Sequence, residues 1–197
     1  MVTGMEQSVA PRRSLAGRPG STTEHLLDAT VDELREVGYD RLTVRSVCRR
    51  ADLTHATVYG YFSSKPHLVS EAYWRHLQRW PDAVAPGTTA ADRVATTCRD
   101  LALLLGADPA LGAAATVAVL STDPDVTRLR SQIGALIQRR LRAAIGTGAD
   151  ESFDDAVDVL TMAINGAMVQ AGLGHINYDE MARRLARAAA FVLRDAP

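Results

Sequence analysis

Lysine is almost missing from this 197-residue chain: Lys65 is the only one, and arginine carries the rest of the positive charge. Cysteine is nearly as scarce. Cys48 and Cys98 lie fifty residues apart, which is neither a disulfide framework nor a metal-knuckle spacing, so both read as small apolar core residues in a reducing cytoplasm. No apolar run approaches the roughly eighteen residues of a membrane span. The opening "MVTGMEQSVAPRRSLAGRPGST" is basic but has no apolar core, which argues against a secretory signal. There is no GxGxxG after a strand, no GxxxxGK[ST], no GxSxG and no HExxH. His25, His55, His67, His76 and His175 do not cluster. Catalysis, a bound cofactor and a metal site are therefore not expected.

Aromatic residues are few and lopsided: seven of ten lie between Tyr39 and Trp80, and beyond Pro81 only Phe153, Tyr178 and Phe191 remain. Charge is split the same way. The net charge is −1, yet residues 1–80 hold eleven basic against nine acidic side chains, and residues 81–197 hold eleven against fourteen. The excess is too small to identify a nucleic-acid binder, but it marks the first half as the one to suspect. It also argues against a sequence-indifferent architectural DNA binder, whose affinity rests on many phosphate contacts.

What is present is helical periodicity from end to end, with no alternating strand pattern. Residues 1–20 read as a disordered basic arm, whose Arg12, Arg13 and Arg18 are candidates for minor-groove entry or an idle tail. Ser21 with Glu24 is a capping-box pattern opening a first helix, and Gly38 closes it. Thr43, Thr54 and Ser64 are N-cap candidates for three further helices, the last of them running to Pro81. Beyond the loop "PDAVAPGTT", helices are expected near 88–106, 109–121, 124–146, 154–173 and 179–194, broken at "GADP", "STDPD", "IGTGAD" and "GHINYD". The expected fold is all-α with about nine helices: a helix-turn-helix unit over 21–66, and a helical ligand-binding and dimerisation domain over 67–197. Helix 4, about 64–80, links the two.

The stretch "THATVYGYFSSK", Thr54–Lys65, carries the chemistry. At 100° per residue Val58 and Phe62 share one side and can pack on Val47 and Leu53. The opposite arc holds Ala56, Thr57, Tyr59 and Gly60. Small residues keep the centre of that face thin, and a methyl from Ala56 or Thr57 can meet a thymine methyl. Tyr59 and Tyr61 can reach phosphates at the groove walls. Lys65, in the first turn of the next helix, can hold a phosphate together with free backbone N–H groups. His55 can read a base, touch a phosphate or face solvent. The plainer alternatives are that the aromatics are core and the lysine is solvated.

Residues 26–69 resemble the TetR family of bacterial transcriptional regulators. The family's Tyr–x–aromatic–Phe–x–x–Lys pattern falls here on Tyr59, Tyr61, Phe62 and Lys65, and Gly38-Tyr39 and Thr43-Val44 also fall where the family has them. The resemblance implies DNA contacts at Thr43, His55, Ala56, Thr57, Tyr59, Gly60, Tyr61 and Lys65. It departs from the family at Asp52, where a Gly is usual, and at Cys48, where Ala is usual. Asp accepts a left-handed turn better than most residues, so the turn is expected to survive.

The resemblance also implies a cytoplasmic, nucleoid-associated homodimer that binds a palindromic operator and yields to a small effector. Ala163, Ala167 and Ala171 lie four apart, beside Gly166; the small residues suit internal packing or a two-fold four-helix interface, and the resemblance favours the second. Gly166, Ala163, Ala167, Gln170, Ala186 and Ala189 are the interface candidates. A pocket among helices 4 to 8, poor in aromatics, is expected to suit a hydrophobic effector. Its candidate lining is Trp74, Leu77, Thr161, Met162, Asn165 and Met168. The alternatives are a helical small-molecule-binding enzyme and a DNA-binding protein with no effector.

Overall fold

The computed structural model describes residues 22–146 and 151–194. The basic arm with Arg12, Arg13 and Arg18, the Ser21 end of the first capping box, and most of the "GTGAD" break lie outside them. The described residues form nine helices and no strand. They are α1 Thr22–Arg41, α2 Val44–Arg50, α3 His55–Tyr59, α4 Lys65–Leu77, α5 Ala90–Gly106, α6 Pro109–Ala118, α7 Pro124–Ile145, α8 Glu151–Gly172 and α9 Tyr178–Val192. Among them no single helix is long and apolar enough to cross a membrane.

Local chemistry sets most of these boundaries. Gly38 breaks α1 with φ 73°, after which one more turn forms. Asp52, between α2 and α3, sits at φ 51°, the only non-glycine positive φ among the described residues. The turn keeps its left-handed residue without glycine. Thr43, Thr54 and Ser64 each accept a backbone N–H three residues on, from Ser46, Thr57 and His67. Asp108 and Asp123 cap α6 and α7 and are each followed by proline, whose fixed φ suits the first helical turn.

One continuous buried cluster runs from Leu26 in α1 to Leu193 after α9. Helices α1, α2 and α3 form the N-terminal unit, and α4 leaves it to pack against α1, α6 and α7. Farther on, α9 lies along α5, and α8 packs on α6, α7 and α9. Charged pairs pin α1 to its neighbours. Arg50 Nε donates to buried Glu33 at 2.7 Å, Arg75 to Asp28 at 2.7 Å, and Arg35 to Asp108 at 2.8 Å.

Candidate nucleic-acid interface and effector cavity

Helix α3 has five residues, too few to hold its shape alone. Val58 and Phe62, 0% and 1% exposed, anchor it. Phe62 meets His67 edge-to-face at 5.5 Å. With that side sunk, His55, Ala56 and Tyr59 face solvent, Thr57, Gly60 and Tyr61 are half-buried, and Thr43 is exposed at the start of α2. Tyr59 is half exposed and its ring lies 5.8 Å from that of His55. Of the eight sequence-derived contact residues, Thr43 caps α2, His55, Ala56, Thr57 and Tyr59 lie on α3, Gly60 and Tyr61 follow it, and Lys65 begins α4.

Lys65 begins α4, and its Nζ sits 4.1 Å from the centre of the Tyr39 ring. The ring face attracts the ammonium and holds it beside the free N–H groups of the capped α4 N-terminus. Burial pushes the Lys65 pKa below its ordinary value, opposed by Asp40. Sequence reasoning missed two cations. Arg45 and Arg49 stand four apart on the outer face of α2, exposed, with no ion-pair partner among the described residues. Their spacing opposite buried Val44, Val47 and Cys48 was the available signal.

Two hollows flank α4. A cleft of about 380 Å³ between α1, α4 and α6 is lined by Asp28, Asp32, Arg35, Arg75, Arg79 and Asp108 among others. Arg35 bridges Asp32 and Asp108, and Arg75 pairs with Asp28, so the cleft is a polar joint. The second, about 270 Å³, lies among α4, α5, α6, α7, α8 and α9 and is mainly apolar, with Leu105, Ala115, Val119 and Ile133 in its wall. Asn165 and Met168 also line it. Of the other sequence-derived lining residues, Leu77 is fully buried, Trp74 packs against the core, Thr161 is buried, and Met162 is 65% exposed on the outer face of α8. The cavity wall instead takes Tyr73 and Tyr178, so it is not free of aromatics.

Met162 shares its outer face with Val159, Gly166 and Val169, all exposed. Gln170 is exposed there too, and Ala163 and Ala186 are half-buried. Ala167 and Ala189, 9% and 0% exposed, pack into their own chain's core.

Comparison with known proteins places this geometry. The model of the family described as "Bacterial regulatory proteins, tetR family" matches residues 26–72. An uncharacterized HTH-type transcriptional regulator of Mycobacterium tuberculosis is 41% identical over 181 residues, 91% of this chain and 84% of that protein. The HTH-type transcriptional repressor KstR of Rhodococcus jostii is 30% identical over 124 residues, 62% of this chain and 58% of that one. Among solved structures, a TetR transcriptional regulator from Rhodococcus sp. RHA1 superposes with TM-score 0.73 at 21% identity, covering 88% of this chain and 98% of that one. The regulator FadR of Bacillus subtilis, in complex with stearoyl-CoA, gives 0.61 at 14% identity, covering 84% and 96%.

Proposed function

We propose, on the premise that this chain belongs to the TetR family of bacterial regulatory proteins, that it is a repressor that binds a palindromic operator as a homodimer and is released by a small hydrophobic effector. The observation that carries the reading is the division of labour along α4. Its first residue, Lys65, follows α3 after one short turn and holds its ammonium over the Tyr39 ring, and farther along Tyr73 walls the apolar cavity. An effector that prefers one setting of α4 shifts the population of DNA-competent molecules by its differential affinity, with a coupling of about 1–3 kcal/mol.

On DNA, α3 enters the major groove. Ala56 and Thr57 meet base edges, while Thr43, Tyr59, Tyr61 and Lys65 hold phosphates, joined by Arg45 and Arg49 from α2. Replacing Lys65 by Ala is expected to weaken binding to every sequence alike and to flatten the log–log salt dependence of affinity by about one unit. A titration across salt concentrations reads this directly, and an unchanged slope removes Lys65 from the phosphate contacts. Replacing Thr57 instead changes base preference.

The outer face of α8 is the proposed seam between two copies. The decisive experiment selects bound sequences from a random duplex pool. The expected product is a palindrome whose half-sites present themselves about 34–36 Å apart, or a multiple of that. The variant Gly166→Trp supplies the control for symmetry. A Cβ at Gly166 meets nothing within 4 Å in the free chain, so the bulk acts only across an interface. Sedimentation is expected to show monomers, with operator affinity lowered. An intact dimer places the seam elsewhere, and an asymmetric single half-site refutes the palindrome.

A further inference from the structure

The apolar cavity contains two hydroxyls with nothing to bond to. Tyr73 is 4% exposed, yet neither its phenol nor that of Tyr178 has a hydrogen-bond partner among the described residues. Both side chains line the cavity, so a hydroxyl without a protein partner there is free to donate to an acceptor that enters it. The two phenols belong to one electrostatic neighbourhood. Burial, and then the nearby Tyr178 phenol, push the Tyr73 pKa upward, so Tyr73 stays a protonated donor. Tyr178 is also held in place. Its hydroxyl lies over Gly112, only 2.4 Å from where a Cβ would stand, so any side chain at 112 would push it aside.

The charge of the lining is one-sided. No carboxylate lines the cavity, and its one ionised residue is Arg130. That guanidinium donates to the Val119 carbonyl at 2.6 Å and to Thr127 Oγ1 at 3.2 Å, and it has no acidic partner. The carboxylate that acts on the site is Asp108: burial first, and then Asp108 from outside the lining, raise the Tyr178 pKa, and Asp108 is itself held by Arg35 at 2.8 Å. A cationic ligand would therefore meet no carboxylate in the wall, and a neutral or anionic one would meet Arg130.

We infer that the effector is a compact apolar molecule bearing a carbonyl or carboxylate oxygen, and that this oxygen accepts hydrogen bonds from Tyr73 and Tyr178. The inference rests on the effector reading above and specifies its chemistry. Tyr73 gives it a mechanical consequence. The residue stands eight positions after Lys65 on the same helix, about 12 Å along the axis, so an oxygen drawn to its hydroxyl loads the helix that carries the phosphate-holding lysine.

The test uses three flexible probes of matched length, able to adapt to the cavity: decane, methyl octyl ketone and decanoate. Affinity is read by thermal shift and calorimetry on the full chain. Wild type is expected to prefer both oxygenated probes to decane by about tenfold, the worth of one or two hydrogen bonds. The double variant Tyr73→Phe, Tyr178→Phe is expected to lose that preference while binding decane unchanged. It removes only unpartnered hydroxyls and should unfold no earlier than wild type; each single variant, losing part of the preference, serves as a second reading. The Arg130→Gln variant separates the oxygen classes: decanoate alone weakens if the carboxylate is held there. Equal affinity for decane and ketone in wild type, or an undiminished preference in the double variant, overturns the inference.

Release of the selected operator DNA is measured in parallel. Oxygenated probes that bind as expected but leave operator affinity unchanged uphold this ligand class and overturn the effector reading. Release by decane or by decyltrimethylammonium, but not by the oxygenated probes, does the reverse.

Discussion

Phe62→Ala is expected to lower the free energy of unfolding by about 3–5 kcal/mol and to abolish operator binding with it. The ring is 1% exposed and is among the largest fully buried side chains of the described residues. It packs beside Tyr61 at 6.4 Å and edge-on to His67 at 5.5 Å. Truncation removes the transfer free energy of the ring and leaves a cavity that short, capped helices are poorly placed to close. The DNA effect follows from the size of α3: with five residues, its geometry depends on Val58 and Phe62 rather than on its own hydrogen bonds. Urea denaturation at unchanged m-value measures the first loss. Tyr59→Ala is the contrasting variant. At 50% exposure it should alter stability by no more than about 0.5 kcal/mol and still weaken DNA binding. If Phe62→Ala unfolds like wild type, the recognition helix is held by something other than this anchor.

Asp123→Ala is expected to cost about 2–4 kcal/mol, combining a lost helix cap with lost hydrogen bonds to a charged acceptor. Asp123 caps α7 through the Asp125 N–H at 2.9 Å. Its other oxygen accepts the hydroxyls of both Ser63 and Ser64, each at 2.6 Å. Ser64 in turn caps α4, accepting the His67 N–H at 3.2 Å. One carboxylate therefore joins the N-termini of α4 and α7, immediately before Lys65. Its loss frees the turn that positions Lys65, so operator affinity should fall beyond what reduced stability explains.

The same group predicts a pH signature. Burial raises the Asp123 pKa, but the Ser63 and Ser64 hydroxyls, the Asp125 amide and nearby His67 outweigh it, and the net value lies below the ordinary 3.8. A carboxylate depressed in the folded state contributes stability that is complete above its unfolded value and lost as pH falls through the folded one. The stability gap between wild type and Asp123→Ala should therefore be constant from neutrality down to about pH 5 and shrink below 3.8. A gap that persists unchanged at lower pH means the ionised carboxylate is not what joins the two helices.

Much of this architecture can be read from the chain itself, because it is decided locally. Thr43, Thr54 and Ser64 cap helices whatever surrounds them, since a side-chain oxygen reaching a backbone N–H three residues on needs no tertiary partner. Asp-Pro at 108–109 and 123–124 starts helices for the same reason, and Asp52 tolerates its left-handed turn by its own steric latitude. The sidedness of α3 is also local, because 3.6 residues per turn places Val58 and Phe62 on one stripe and Ala56, Tyr59 and Gly60 off it.

What only the folded chain decides is which stripe meets which neighbour. Periodicity gives a helix an apolar side but not its rotation about its own axis once several helices compete for that side. Thus Met162 turns outward while Asn165 and Met168 reach the cavity, and Leu77 sinks into the core while Tyr73, four residues earlier, walls the cavity. Ala167 and Ala189 show the same limit: small residues suit a close contact within the chain as well as one between chains. The remaining features are joined across long separations. The Ser63 and Ser64 bonds to Asp123 span sixty and fifty-nine residues, and Tyr73 and Tyr178 line one cavity assembled from six helices. No local rule encodes such meetings, because they follow from the packing angles of helices whose sequences carry no direct record of one another.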